Sequence, residues 1–312
     1  MAEALTKMIG KVSPERLNAA FREGFGRFNV LAEAKKIRKE VQLAHGITKG
    51  GDLLSHPEWQ HKLGMGLIPS YGLTLHHHRM RSALTPITID ACPSAGDCIR
   101  VCVLNNNFGR FEKVQAAWRW RTDLAAHHPE QFFRLLGAEI RSALGDRPHI
   151  LFRPNINSDV LWEDVCPALV DGSVMGDRVT LYGYTKHAFH LASEGWITPY
   201  YHVAYSWNET SSSRPVQAFL ERGGNVAVVT DRLAGGGTSK RPVRQWADGT
   251  CIGLEAPVVD ADTGDEWMLN NYGSIGDLGF KPRTQALRRF GAESDFVAKV
   301  YDLSEPLPLE WT

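Results

Sequence analysis

No stretch of this 312-residue sequence approaches the run of about 20 apolar residues that a membrane-spanning helix needs. The opening segment, MAEALTKMIGKVSPERLNAA, alternates charged and apolar positions and lacks the unbroken apolar region of a signal peptide. The expectation is a cytoplasmic protein with no membrane partner. Excess charge is lacking too: Lys plus Arg and Asp plus Glu balance at 35 each. That balance argues against a protein that coats nucleic acid nonspecifically, because such binding is carried by phosphate neutralisation; a local basic patch stays open. Cysteine is scarce, with five in the chain. Five thiols in a reducing compartment do not make a disulfide framework, which leaves buried thiols or metal ligands. No internal repeat or low-complexity segment is evident. What is present is ordinary for a globular chain, 43% hydrophobic and 22% charged, enough to bury a core. The length fits one large α/β domain or two small ones.

Residues 1–66 read as a helical extension packed on the core. Leu17, Phe21, Phe25 and Phe28 recur at helical spacing, and Leu31–Leu43 is rich in Ala, Lys, Arg and Glu. Residues 1–50 carry ten Lys or Arg against five Asp or Glu, which suits a solvated helical face or a partner contact. From about residue 70 strand and helix alternate. Strands are expected at Leu73–His77, Ile87–Ala91, His149–Arg153, Arg178–Tyr182, Tyr201–Tyr205, Asn225–Val229 and Thr250–Leu254. Helices are expected at Phe111–Ala126, Pro129–Leu144, Val160–Val170, Lys186–Ser193 and Pro215–Arg222, with a terminal helix at Thr284–Val300. This alternation points to a mainly parallel sheet. The runs Ile150–Phe152 and Val226–Val229 are apolar throughout, as strands buried on both faces should be. Residues 67–312 are therefore expected to form a TIM-like (β/α) barrel, closed or incomplete. A doubly wound open sheet is the alternative.

The densest chemical signal is Cys92-Pro93-Ser94-Ala95-Gly96-Asp97-Cys98-Ile99-Arg100-Val101-Cys102, a C-x5-C-x3-C spacing between an expected strand and a helix. Pro, Ser, Gly and Asp make a tight polar turn whose amides can face an inorganic body. Thiolate is the ligand form, and a metal keeps three neighbouring thiolates deprotonated. Three cysteines suit a 4Fe–4S cluster with one open position; zinc is the alternative if a fourth ligand arrives from elsewhere. Cys166, Cys251 and the run His76-His77-His78 are the candidates for that ligand. Only His76 and His78 can share a strand face.

Polar residues cluster where strands should end: Asn155, Asn157, Ser158 and Asp159; Tyr184, Thr185 and Lys186; Ser206, Asn208 and Glu209; Thr230, Asp231 and Arg232. In a β/α barrel such ends converge on one mouth. Asp159, Lys186 and Glu209 are the candidate catalytic groups, able to orient substrate and move protons. Ser158, Tyr184, Ser206 and Asn208 are candidate cofactor-binding groups. Helix capping is the simpler account of Asp159 and Asn208. The glycine-rich run Leu233–Arg241 can hold phosphate through its amides but lacks Walker spacing. Asp260–Glu266 is acidic without the full calcium-loop pattern. Arg110, Lys113, Arg119 and Arg121 interleave with Trp118 and Trp120, a pattern that contacts phosphates and stacks bases, or simply an amphipathic helix with a buried Trp face.

The segments CPSAGDCIRVC, RPNINSDVLWEDV, LYGYTK, YHVAYSWNET and VVDADTGDEWM resemble those of the gene product 88 family of bacteriophage proteins, of unassigned activity, over roughly residues 70–280. The resemblance implies a shared site of Cys92, Cys98, Cys102, Ser158, Asp159, Tyr184, Lys186, Ser206 and Glu209, and a host-cytoplasmic setting. Val103 stands where many relatives have an aromatic. The layout also resembles radical S-adenosylmethionine enzymes, which place a three-cysteine loop after the first barrel strand. Their usual C-x3-C-x2-C spacing and Gly-Gly-Glu run are absent, and fold analogy does not establish function. Three functions follow as expectations. The first is an iron–sulfur enzyme acting on a small molecule or using S-adenosylmethionine. The second is a cluster-stabilised nucleic-acid-binding or redox-regulatory protein. The third is a zinc-dependent barrel acting on a nucleobase.

Overall fold

Apolar runs alternating with helical stretches give a mixed α/β protein in the computed structural model, which describes residues 2–26, 31–59, 68–102, 111–187, 199–231, 240–245, 251–261, 267–270, 273–279 and 299–302. The chain divides into two units. The first comprises residues 1–93, 103–183 and 198–201; the second comprises residues 94–102, 184–197 and 202–312. The boundary expected at residue 66 lies outside the described residues. Among the described residues no helix is long and apolar enough to cross a membrane.

The first unit begins with β1 (Ala2–Ala4), α1 (Leu5–Ile9), α2 (Pro14–Gly26), α3 (Ala32–Ala44) and β2 (Leu54–Ser55). It continues with β3 (Ser70–Leu73), β4 (Arg79–Arg81) and β5 (Thr88–Asp90). After α4 (Cys98–Val101), a turn of the second unit, come α5 (Glu112–His127), α6 (Pro129–Leu144), β6 (Ile150–Arg153), α7 (Trp162–Val165) and β7 (Val179–Thr185). β3, β6 and β7 run parallel in the order β3-β6-β7, and β2 pairs antiparallel with β3 as an edge. Ile150, Leu151 and Phe152 are buried, as an all-apolar parallel strand requires. The expected strand at Ile87–Ala91 does form, but not in this run. It is the centre of a three-stranded sheet, parallel to β1 and antiparallel to β4. Residues 2–4 are thus strand, where helix was expected.

The second unit holds β8 (Tyr201–Ser206), α8 (Ser213–Glu221), β9 (Asn225–Thr230), β10 (Lys240–Gln245), β11 (Cys251–Gly253), β12 (Val258–Asp260), α9 (Trp267–Asn270), β13 (Ile275–Gly279) and β14 (Lys299–Asp302). β8, β9, β13 and β12 lie side by side, all parallel. Trp207, Phe219, Val226 and Ile275 pack between this run and α8. The expected strand Thr250–Leu254 shortens to β11 and pairs antiparallel with β10, away from the parallel run. Lys299 and Val300 are strand, not the end of a helix; the rest of the expected terminal helix, and Ala188–Ser193, lie outside the described residues. Among the described strands no sheet closes on itself, because β2 and β12 each have one neighbour. A complete barrel is therefore not what these strands form.

The expected helix Val160–Val170 breaks into α7 and a 3-10 turn at Pro167–Leu169. Cys166 precedes the proline, and its φ of −147° and ψ of 73° leave the helical region, as the steric bulk of the following ring demands. Helices α2 and α6 cross at their glycines. A Cβ on Gly137 would lie 2.6 Å from the Phe21 carbonyl oxygen, and one on Gly24 would run into the Arg134 carbonyl. Gly24→Ala should therefore destabilise the fold by about 1–3 kcal/mol through overpacking. The about 1 kcal/mol that alanine gains in helix propensity is too small to offset it. A thermal melt of the variant checks the sign.

Candidate metal and catalytic site

The cysteine segment leaves β5 through Asp90, whose carboxylate is buried. Asp90 Oδ1 accepts the Cys92 N–H at 3.1 Å, and Oδ2 accepts Arg79 Nε–H at 3.2 Å. His78 Nδ1 lies 3.6 Å from Oδ1. The segment is also tied to the loop after β6. The Asp159 N–H donates to the Ala91 carbonyl at 2.8 Å, and the Cys92 thiol lies 3.6 Å from the Asn157 carbonyl. All of these contacts fall in the first unit.

Asn155 shapes that loop. Its Oδ1 accepts from Ser158 Oγ, the Val160 N–H and Trp162 Nε1, and its Nδ2 donates to the Val160 carbonyl. Ser158 is therefore engaged in building the loop. Asn157 is only 6% exposed, and neither Oδ1 nor Nδ2 of its amide has a hydrogen-bond partner among the described residues. Asp159 is buried beside it in sequence. Glu163, four residues on, was not anticipated. Burial pushes its carboxyl up to about 8, with Asp164 and Asp159 adding to the rise. Burial likewise raises the Tyr201 phenol well above its usual range, and the charges of Glu163 and Asp159 add to it. A signal for Glu163 existed: it is an acid four residues after Asp159, in the segment WEDV.

In the second unit the cysteine segment turns at Gly96, with φ of 51°, a left-handed conformation that glycine adopts at little cost. The Asp97 N–H donates to Glu209 Oε1 at 2.7 Å. A Cβ on Gly96 would overlap that oxygen. Glu209 Oε2 is buried with no hydrogen-bond partner among the described residues. Ser94 Oγ lies 3.2 Å from His187 Nδ1. Glu209 is thus brought to the cysteine turn. Tyr184 OH accepts Trp267 Nε1–H at 3.1 Å. Asn208 Oδ1 takes the Thr210 N–H and hydroxyl and the Ser211 hydroxyl, so it behaves as a local cap. Lys186 and Ser206 are half-buried at the ends of β7 and β8.

Cys92, Cys98 and Cys102 are half-buried and carry no disulfide. Among the described residues no three His, Cys, Asp or Glu side chains are gathered as a ready metal-ligand set. Of the candidate fourth ligands, Cys166 and His76 are buried. Cys166 is fully buried, and burial pushes its thiol up to about 12, the opposite of what a ligand needs. Burial drives His76 down to about 4; its ring stacks on His77 at 4.8 Å, and His77 packs edge-on against Trp118. The side chain of Cys251, Arg110, the glycine-rich run 232–239 and the acidic residues 262–266 lie outside the described residues. On α5, Trp118, Trp120 and Arg121 are buried, and Arg121 donates to the Asp52 carbonyl through Nε and Nη2. Those three side chains build the core and offer no stacking surface.

A Ser–His–Asp grouping also occurs, at Ser82, His127 and Asp123. Ser82 Oγ at 3.1 Å and Asp123 Oδ1 at 3.7 Å both meet His127 Nε2. A nucleophilic triad needs hydroxyl and carboxylate on opposite ring nitrogens, so this trio is structural.

The fold is that of a mixed α/β protein with a run of parallel strands in each unit. The chain belongs to the gene product 88 family, whose model matches residues 32–291. The match reaches beyond the span that the short motifs suggested and takes in α3. No curated protein and no solved structure matches the chain, and the expected likeness to radical S-adenosylmethionine enzymes, a cysteine loop after the first barrel strand, is not shown: that loop follows β5, which lies outside the parallel run.

Proposed function

We propose that Cys92, Cys98 and Cys102 hold an iron–sulfur cluster, a 4Fe–4S cluster with one iron left open, and that the protein is an enzyme acting on a small molecule there. The observation that carries this reading is three half-buried thiols within one eleven-residue segment. The spacing, not any measured distance, gathers them; the segment would close on the metal as it binds, as metal-coupled ordering commonly works. Two buried polar groups, the Asn157 amide and Glu209 Oε2, have no hydrogen-bond partner among the described residues and fit a segment built to meet a further group. When bound, the cluster supplies an iron able to take a small-molecule ligand. Asp159 and Glu209 orient that molecule and move protons, with Lys186 offering a cation to an anionic group. Tyr184 and Ser206 add polar contacts. The parallel strands present these groups at their C-terminal ends, as those of an incomplete (β/α) barrel do.

Zinc is the second reading, favoured by the Glu209 carboxylate beside the cysteine turn, since zinc takes mixed thiolate and carboxylate ligands. Anaerobic purification with iron, sulfide and zinc quantified separates the two. The parent should be brown with iron and sulfide near stoichiometric. Cys98→Ala should lose the colour and the bound iron altogether while keeping its secondary structure. A parent with zinc and no sulfide would replace the first reading by the second. A metal-free parent whose Cys98→Ala variant is indistinguishable from it would end both.

A further inference from the structure

The lysines of this chain are unevenly placed. Six of its twelve fall within residues 1–50, and three of those, Lys35, Lys36 and Lys39, stand on α3. The whole chain balances at 35 charges of each sign, and residues 1–50 carry ten bases against five acids, so the remainder is acidic by five. The fold holds α3 so that its lysines face outward. Ala34, Val41 and Gln42 are buried, and Gln42 Nε2 donates to the Gly51 carbonyl at 2.9 Å. Arg38 is drawn to Glu139 of α6 at 3.1 Å, and His45, just past the helix, is fixed on Asp123 of α5 at 2.8 Å. Lys35, Lys36 and Lys39 are exposed. Separations of one, three and four residues put all three on one side of the helix, away from the buried positions. Other bases of this region have partners: Lys11 pairs with Glu3, Arg16 with Glu130 and Arg38 with Glu139. None of the three α3 lysines has an ion pair among the described residues. Like charges three and four residues apart on a helix repel one another, and a polyanion laid across them removes that repulsion.

We propose that the exposed face of α3 formed by Lys35, Lys36 and Lys39 is a docking surface for duplex DNA, held by its phosphate backbone without sequence being read. Complementary charge is the ground for it. Duplex DNA carries one negative charge per about 1.7 Å of its axis, and residues 35–39 span about 6 Å of helix, so the face meets several phosphates at once. An ammonium is a compact charge that neutralises a phosphate without the fork geometry that reads a base edge. α3 has no aromatic side chain, so it offers no platform on which the bases of a single strand could stack. A membrane surface fits less well. An interfacial helix sinks a broad apolar face into lipid, whereas Ala34 and Val41 of α3 are buried in the protein and Leu43 is the large apolar side chain it leaves exposed. The inference does not depend on any metal at the cysteines.

The test is fluorescence anisotropy of a labelled DNA duplex of about 20 base pairs and arbitrary sequence, titrated with the purified full chain at about 50 and about 200 mM salt. Three proteins are compared: the parent, a variant with Lys35→Gln, Lys36→Gln and Lys39→Gln together, and one with the same three lysines changed to Arg. The parent should lose at least about 40-fold in affinity between the two salt concentrations, the share of three phosphate contacts. The Gln variant should bind about tenfold or more weakly at the lower salt and lose that share of the salt dependence. The Arg variant should keep both. Lys36→Gln alone should lower the slope of log affinity against log salt by about 0.9. The positions are exposed, so all the variants should melt with the parent, and a binding loss is then not a folding loss. A parent that does not bind the duplex at the lower salt overturns the proposal, and so does a Gln variant that binds it as the parent does. Tighter binding to a single strand of the same length overturns it too. Lysine-dependent binding to phosphatidylserine vesicles, with none to the duplex, assigns the face to a membrane instead.

Discussion

Asn155→Leu is expected to cost about 2–6 kcal/mol of stability, since two of the three donors it strips of an acceptor stay buried and each orphan costs about 1–3 kcal/mol. Leucine nearly matches asparagine in size, so the loss is not one of packing. It strips the acceptor from Trp162 Nε1 at 2.9 Å, from the Val160 N–H at 3.2 Å and from Ser158 Oγ at 2.9 Å. Ser158 can turn its hydroxyl elsewhere; an indole N–H and a backbone N–H in this interior cannot. Trp162 is fully buried, stacked on Phe132 at 6.4 Å and edge-on to Phe133 at 6.1 Å, so it has no route to water. The loop 155–160 should loosen with it, taking Asn157 and Asp159 out of register with the cysteine segment. A urea titration followed by tryptophan fluorescence reads the stability, and bound iron reads the site. Asn155→Asp keeps the acceptor for all three donors and should recover most of the loss. Equal damage from both variants would show that the network is not what holds the loop.

The elements that sequence pattern exposes well are those whose local and tertiary demands agree. Ile150–Phe152 and Val226–Val228 are apolar at every position, and only a strand covered on both faces accepts that. The helices at 112–127 and 129–144 carry periodic apolar faces, and Pro129 sits at the first turn, where its missing N–H costs nothing. β1 was illegible for the opposite reason. Ala2-Glu3-Ala4 has no strand signature, and its extended form exists only because β5 offers it a ladder some 85 residues away in sequence. The same partnership removes β5 from the parallel run that its own sequence suits. Pro167 is visible in the sequence, and it ends the helix expected at Val160–Val170.

Within the site, the kinds of residue were legible and their states were not. Asn155, Asn157, Ser158 and Asp159 all stand out as polar residues at a strand's end. Which one builds the loop and which one is left over depends on hydrogen bonds that reach Trp162 and Ala91, and no spacing rule supplies that. The Arg and Trp residues of α5 fit a nucleic-acid face equally well on paper. Arg121 turns inward because the Asp52 carbonyl, 69 positions earlier, accepts two of its N–H groups. Burial pushes the neighbouring Glu139 up to about 7. Leu53 and Leu54 donate their N–H groups to Glu139, and Arg38 pairs with it at 3.1 Å, so α3, α6 and β2 meet at one carboxyl.

Glu163 gives the protein a pH dependence that can be isolated. Its carboxyl rises from 4.5 to about 8, chiefly by burial, with Asp164 and Asp159 contributing. An acid whose folded value exceeds its unfolded one stabilises the fold while protonated. The contribution is whole below about pH 4.5 and drains away as pH rises through about 8. Glu139 follows the same sign but is largely spent by about pH 7. His76 and His127 are depressed by burial, so their contribution is lost on the acid side, below the ordinary histidine value of 6.5. Cys166 and Tyr201, both raised, act only at alkaline pH. Between pH 7 and pH 8 Glu163 is therefore the group with a resolved shift that still titrates. Across that interval the parent should lose stability on the order of 1 kcal/mol per pH unit. Glu163→Gln, which keeps the shape without the ionisable proton, should show a clearly shallower slope there, with only the tail of the Glu139 titration remaining. Melts at closely spaced pH values check it, and parallel slopes in the two proteins would refute the assignment. If the slope belongs to Glu163, the helix that follows the loop of Asn157 carries a carboxyl that holds its proton at neutral pH.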